Sequence, residues 1–511
     1  MNPASKHGAA AAAPAPARSA SHDRSKAVVV DRAFQRRTLR TVVVALLIDI
    51  LAFTIILPLF PRLIAHYESV DGSNPSSTYY AAAQGVKAFR ELIGGTGSRL
   101  DIILFGGFLG SMFSFLQFVS SPLIGRLSDR YGRRTVLLIS MLGNGLSMLL
   151  WIFSGSFSVF VLSRVVGGLT EGNVQMSIAI ISDITSAAER SRNLAWVGIS
   201  FALGFTVGPP LGAYCTKFDL QEMLPSLPVN RYSSPALFAF ILIVIETIYL
   251  FRYLPETSRC VLSDEVSSTA PPLKAQTSEG SRPPLRSRTA PEQSARRLAV
   301  LSLVHFVFLF AFSGMEFTLT FLTYDRFDFS HGQQGRLLAY MGVLSALIQG
   351  AYVRRVAHKH VSEQTIVLQG IVACAAGLTV IGALATSTRM LYVGATLLAF
   401  TSGTVVNCLT SLASLEHSSA TLSEPEPANA AQDKSSKGHS PSGNLGHALG
   451  KFRSMGQLGR CLGPLAACSG YWIIGSTNVY LAASSVMAVL ALAVVMAVPG
   501  PARAARKTKA D

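Results

Sequence analysis

Charge is what this 511-residue chain has least of: 14% of its residues are Asp, Glu, Lys or Arg, while 50% are hydrophobic. A soluble protein carries about a quarter charged residues, so a water-soluble fold is excluded and a polytopic membrane protein is expected. The chain also lacks a Walker-type phosphate loop, a metal-ligand pair and a nucleophile elbow. Those absences argue against an enzyme, an ATP-driven pump, a bound metal or a cofactor. The cysteines, Cys215, Cys260, Cys374, Cys408, Cys461 and Cys468, mostly fall within or beside apolar runs. They show no metal-site or disulfide-framework spacing and read as packing thiols. No Asn-x-Ser/Thr acceptor exists, because Asn74-Pro75-Ser76 carries the forbidden proline.

What is present is a series of apolar runs, each near the roughly twenty residues that cross a bilayer core. They fall at 41–61, 102–121, 135–153, 158–181, 194–215 and 234–252, then at 298–323, 335–352, 364–385, 390–412, 449–473 and 477–498. The reading is an all-α membrane protein of twelve transmembrane helices in two six-helix groups. Most of the Lys and Arg behind the formal charge of +16 lie in connectors assigned to one side. The positive-inside rule makes that side cytoplasmic, with both termini on it, and gives the basic residues lipid headgroups rather than nucleic acid to face.

The expected organisation is a disordered cytoplasmic segment at 1–40, a bundle at 41–252, a Pro/Ser/Arg-rich linker at 253–297, a second bundle at 298–498 and a tail at 499–511. A polar insert at 414–446 reads as disordered within the second bundle. The first long apolar run begins only near residue 41, so a cleaved signal peptide is not expected. The outer loop 62–101 suggests a short amphipathic helix around Tyr79 to Ile93.

The connector between the second and third runs is Gly125-Arg126-Leu127-Ser128-Asp129-Arg130-Tyr131-Gly132-Arg133-Arg134. Its glycines suit a tight turn between close helices, and one carboxylate among several guanidiniums invites charge-assisted hydrogen bonds. The run resembles the loop between the second and third helices of the major facilitator superfamily. The likeness covers roughly residues 40–500. It implies two pseudo-symmetric six-helix bundles with a substrate site between them near the bilayer midplane. Gly204-x3-Gly208-Pro209 in the fifth run and Gly459-x3-Gly463-Pro464 in the eleventh echo each other across the halves.

Candidate chemistry sits on polar residues inside these runs. Asp49 lies about 12 Å into the first helix at 1.5 Å per residue. A carboxylate there is costly to insert, faces the bundle interior by default and is a candidate proton carrier; the structural alternative is a permanent partner or cap. Its spacing from Pro58 and Pro61 resembles the first helix of the drug/proton antiporters, including the bacterial tetracycline exporters. In the fourth run, Arg164 resembles the antiporters' fourth-helix arginine, which is associated with proton coupling; a snorkelling arginine is the alternative. Glu171 and Asn173 follow it. Asp183 resembles the acid that completes a charge relay with Asp129.

In the fifth run, Gly204, Gly208, Pro209 and Gly212 resemble the antiporter signature, with Ala213 replacing its final Gly; close packing alone also explains the glycines. In the second half, His305 and Glu316 are spaced to share a helix face. Glu246 reads as a structural partner. Arg164 and Arg460 suit an organic anion or neutralise Asp49, Glu171 or Glu316. The connector Arg354-Arg355-Val-Ala-His358-Lys359-His360 lacks the Gly and Asp of the first-half loop, which leaves a second-half latch in doubt. Gln117 and Gln349 precede the two loops.

These residues give a secondary active transporter, a proton-coupled antiporter exporting small organic molecules, with organic anions as the solute class that the eukaryotic tetracycline-transporter-like branch suggests. Asp49, Arg164 and Glu316 are the candidates for proton coupling. Arg460, Glu171 and His305 are those for substrate binding. Gly125, Asp129, Arg130, Gly132, Arg133, Arg134 and Asp183 form a conformational latch. The alternatives are a facilitative or symport carrier, and a non-transporting receptor or scaffold that uses its inserts as partner sites. Partners are a small solute, protons and the bilayer of the plasma or an internal membrane; the chain is taken as a monomer.

Overall fold

The computed structural model describes residues 28–56, 60–92, 94, 98–223, 226–230, 232–258, 260–262, 290–357, 361–423 and 445–497. The first half contains α1 (Arg32–Ile55), α2 (Phe60–Asp71), α3 (Thr78–Leu92), α4 (Ser98–Tyr131), α5 (Arg133–Ile152), α6 (Phe157–Thr170), α7 (Asn173–Asp183), α8 (Ala187–Cys215), α9 (Leu220–Met223) and α10 (Ser233–Tyr253). The second contains α11 (Ala290–Phe327), α12 (His331–Leu347, wider-wound over Ile348–Ala357), α13 (Glu363–Thr379, likewise over Val380–Leu384), α14 (Thr388–Ser423), α15 (Leu445–Ile473) and α16 (Ser476–Ala497).

Among the described residues ten helices are long and apolar enough to cross a membrane on those grounds alone. The spans that complete the expected twelve are the fourth, which α6 and α7 share, and the eleventh, α15, which carries Lys451, Arg453 and Arg460. Each half builds its own hydrophobic core, one drawn almost wholly from residues between Val42 and Leu254 and the other from Leu301 to Val494. The halves meet chiefly along α4 with α15 and along α8 with α12.

Hydropathy located the spans but misplaced several helix ends. Helix α1 starts at Arg32 because Asp31 caps it, its carboxylate accepting from the Phe34 N–H at 2.6 Å. The helix ends at Ile55, short of the expected 61; Pro61 falls in the first turn of α2, where a missing N–H is tolerated, and Pro58 lies outside the described residues. Helix α14 continues to Ser423, into the insert expected to be disordered from 414, because polar residues extend a helix that has left the hydrocarbon. The first-half leader and the linker are also partly ordered: Val28–Val30 pairs in parallel with Cys260–Leu262. Residues 1–27, 263–289, 424–444 and 498–511 of the polar segments, and His358, Lys359 and His360 of the second connector, lie outside the described residues.

The ten-residue connector is the largest local departure. Gly125 to Tyr131 form the last turns of α4 rather than a loop, and the chain turns at Gly132 alone, whose φ is +94°. That is the left-handed region, open to glycine without strain. A Cβ there would also strike the Glu256 carboxylate. The fourth span breaks where one continuous helix was expected: Glu171 and Gly172 separate α6 from α7. In the outer loop two helices, α2 and α3, replace the single one expected. Tyr67 and Tyr79 bury their rings against Phe157, and Asp71 accepts from the Phe157 N–H at 2.9 Å, capping α6.

Candidate functional site

The interior of the first half holds a cluster of carboxylates. Asp49 points inward and is 5% exposed; one of its oxygens accepts from the Asn173 amide at 2.7 Å, across to the first turn of α7. Glu171 lies at the helix break, where its carboxylate accepts from the Asn144 amide of α5 at 3.1 Å. Glu246, on α10, is 1% exposed, with one of its oxygens unpartnered.

Arg164 is buried with them, but no direct ion pair holds it among the described residues. Its guanidinium lies 5.0 Å from the Phe113 ring centre and 4.9 Å from that of Trp151, a cation–π setting that steadies a desolvated charge. Its Nε has no hydrogen-bond partner. A snorkelling role is thereby replaced by an interior one. Asp49, Phe53, Phe113, Asn144, Arg164 and Glu171 border a cavity of about 20 Å³, room for about one water molecule.

The second half carries cations along α15. Arg453, on α15, has a buried Nε with no hydrogen-bond partner. The sequence reading missed Arg453, since a basic residue near the end of an apolar run is ordinarily a headgroup anchor. The signal available was its spacing from Arg460, two helical turns along one face of α15. Arg460 itself pairs with Glu316 at 4.0 Å, both about half exposed. His305 stacks on the Phe452 ring at 4.4 Å between centroids and lies against Gly456. His305 and Glu316 therefore both face α15, as their spacing on α11 suggests.

At the loop-bearing end, Arg133 is fully buried and ties three groups together. It donates to Asp129 at 2.7 Å, to the Ser128 hydroxyl at 2.7 Å and, through Nε, to Asp183 at 3.0 Å. Asp129 reaches across to the second half, where its two oxygens accept from the backbone N–H groups of Gly446 and His447 at 2.8 and 2.7 Å. Those amides open α15, so a carboxylate caps a helix N-terminus with both charge and geometry in its favour.

Gly125 makes this approach possible, since a Cβ there would collide with the Gly446 carbonyl. Ser111 and Ser454 extend the α4–α15 seam by donating to the Cys461 and Phe118 carbonyls, each at 2.7 Å. Glu256, another residue the sequence reading missed, accepts from the backbone N–H groups of Arg133 and Arg134 at 2.8 and 3.1 Å and caps α5. The side chain of Arg134 donates to the Phe251 carbonyl at 2.6 Å. Arg130 is exposed and packs over the Tyr131 ring, outside the network.

On α8, Gly204, Gly208 and Gly212 press against Ile50, Thr54 and Ile55 of α1. The Thr54 hydroxyl donates to the Gly204 carbonyl at 2.9 Å. The helix runs through Pro209 and Pro210 without a break. In the second half, the Asn407 amide donates to the Gln349 carbonyl oxygen at 2.9 Å, and both pack against Gly198 of α8. Arg354 lies over the Trp196 ring at 4.0 Å and donates to the Arg192 carbonyl at 3.3 Å. Among the described residues the cysteines at 215, 374, 408, 461 and 468 are buried free thiols.

Helices in two such bundles, with charges buried between them, define a membrane transporter. The family model of the Major Facilitator Superfamily matches residues 42–422, and the chain belongs to that family. It is 35% identical over 455 residues to major facilitator superfamily domain-containing protein 10 of Mus musculus, covering 87% of this chain and 89% of that one. The Homo sapiens protein of that name is also 35% identical, over 86% of this chain. The chain is 28% identical over 273 residues to the class B tetracycline resistance protein of Escherichia coli, over 53% of this chain and 62% of that one. The crystal structure of the human organic anion transporter MFSD10 (TETRAN) superimposes with a TM-score of 0.71 at 32% identity, covering 90% of this chain and 99% of that chain.

Proposed function

We propose that the protein carries small organic anions across a membrane by alternating access, with protons as the coupling ion. One observation carries the reading: Asp49, almost fully buried, and Glu171 border one small cavity with Arg164 in the interior of the first half. A carboxylate in the middle of a bilayer costs about 2.5–3.5 kcal/mol to insert, and proton uptake is one use that offsets it. Likeness to a relative described as an organic anion transporter supports the solute class, and Arg453, Arg460 and Arg164 supply positive charge for it.

In this reading Asp129 on the start of α15, with Arg133 and Asp183 behind it, latches the halves on the cytoplasmic side in one state and releases them in the other. The latch biases the cycle only through that difference. Export in exchange for protons is the sense suggested by the likeness to antiporters. The test is transport of a labelled organic-anion panel in proteoliposomes with and without an imposed pH gradient. Flux above protein-free vesicles that responds to the gradient is expected; flux indifferent to it removes the proton from the reading.

A further inference from the structure

Two hydrogen-bonded links gather α1, α5 and α10 at one end, the end that the positive-inside rule makes cytoplasmic. Val28–Val30, which leads into α1, pairs with Cys260–Leu262, which follows α10. Glu256, just past α10, accepts from the backbone N–H groups of Arg133 and Arg134 that open α5. Guanidiniums stand on all three ends. Arg36, Arg37 and Arg40 are exposed on α1 and Arg252 on α10, while Arg134 donates to the Phe251 carbonyl at 2.6 Å, its guanidinium 5.5 Å from that ring's centre. The acids here are already engaged: Asp31 caps α1, Glu189 accepts from the Gln35 amide at 3.3 Å, and Glu256 holds main-chain N–H groups. Arg36, Arg37, Arg40 and Arg252 make no ion pair with a described residue.

These cations end apolar stripes. By helical spacing Arg36 and Arg40 share a face with Val44, Leu47 and Leu51, and Arg252 shares one with Ile241, Ile245 and Ile248. Val44 is 39% exposed and Ile248 64%. The Asp129 clasp closes the seam between the halves at this end, so an apolar face left open here looks out to the bilayer. Helices α8 and α10 both pack on α1 yet scarcely meet each other, which leaves that stripe of α1 uncovered between them. Arg40 directly precedes the apolar run of α1 and so lies at headgroup depth.

We infer that these ends form a site for a phosphoinositide of the cytoplasmic leaflet. Its phosphates rest on Arg36, Arg37, Arg40, Arg134 and Arg252, and its acyl chains lie along the exposed stripes of α1 and α10. Guanidiniums fork onto phosphate oxygens, and a cluster of about four to eight cations beside a membrane helix suits a polyanionic headgroup. Phe251 and Tyr253, both exposed beside Arg252, suit the boundary between headgroup and chain. A soluble inositol phosphate offers the same oxygens but nothing for the stripes. The site lies on the outer face of the first half and does not depend on which solute or ion is carried.

The test is native mass spectrometry of the full chain in detergent with dioctanoyl phosphatidylinositol bisphosphate, dioctanoyl phosphatidylserine or soluble inositol trisphosphate. The bisphosphate lipid is expected to bind about tenfold more tightly than either of the others. Equal binding of the two lipids overturns the site, and trisphosphate binding as tight as the lipid overturns the lipid as its occupant. Combining Arg36→Gln, Arg37→Gln, Arg40→Gln and Arg252→Gln is expected to weaken binding by about fivefold for each guanidinium removed, whereas Lys at those positions keeps most of it. The pair Arg296→Gln and Arg297→Gln, at the start of α11, removes charge from the other half and is expected to leave binding unchanged. Equal losses in the two Gln sets overturn the assignment. Independently of any variant, a photoactivatable analogue of the bisphosphate lipid is expected to label wild-type protein within 32–51 or 241–253; labelling absent from both overturns it.

Discussion

The two six-helix halves share a backbone plan but divide the charge between them. The first buries Asp49 and Glu246 and sets Asp49 and the half-buried Glu171 on one cavity with a ring-bound arginine, Arg164. The second places His305, Arg453 and Arg460 along its α11 and α15 helices, with Glu316 4.0 Å from Arg460. They differ again where they clasp each other. The first half supplies Asp129, Arg133 and Asp183 as an ionic cluster, whereas Gln349 and Asn407 of the second offer a neutral amide pair to Gly198. A repeat that conserves helix packing leaves side-chain chemistry free to diverge, and the divergence here makes the halves complementary across their interface.

The largest expected effect tests the acid side. Asp49→Asn removes the titrating carboxyl and is expected to abolish pH-driven accumulation of an organic anion in proteoliposomes; unchanged accumulation would move the proton to Glu171 or Glu246. Next comes the ionic clasp. Arg133→Gln leaves Asp129 and Asp183 buried without their shared cation, an expected loss of about 3–5 kcal/mol, readable as a lower midpoint of thermal unfolding in detergent.

Smaller still is Gly125→Ala, where overpacking against the Gly446 carbonyl is expected to cost about 1–3 kcal/mol. It should shift the population away from the clasped state. A cysteine placed at Ser454 in the seam should then react faster with a water-soluble maleimide. The smallest effect is expected on the neutral side: Gln349→Ala removes an amide hydrogen bond of about 1 kcal/mol and should change the transport rate by less than tenfold. Equal effects of Arg133→Gln and Gln349→Ala would erase the contrast between the two clasps.

Much of this was legible in the sequence, because a bilayer imposes a length and a composition on whatever crosses it. The helix positions, the inward-facing Asp49 and the Asp129–Arg133–Asp183 cluster all follow from a polar residue's need for a partner in oil. Arg453 was not legible, since its role depends on which half lies opposite, and hydropathy carries no information about pairing between distant helices. Glu256 was hidden for the same reason: its partners are main-chain N–H groups more than a hundred residues away. The broken fourth span was obscured because the glycines around Glu171 also suit close helix packing. Helix ends were misplaced wherever a helix continued beyond the apolar stretch.

Because Asp129 grips the main chain of α15 rather than any side chain, the residue at 447 can change without costing the hydrogen bond, whereas 446 is held to glycine, since a Cβ there would meet the Gly125 carbonyl and the Arg133 guanidinium. At 447 proline is the exception, as it alone deletes the donor. The polar segment ahead of α15 is thus free to vary in length and composition, provided that it delivers two unpaired amides to the same spot.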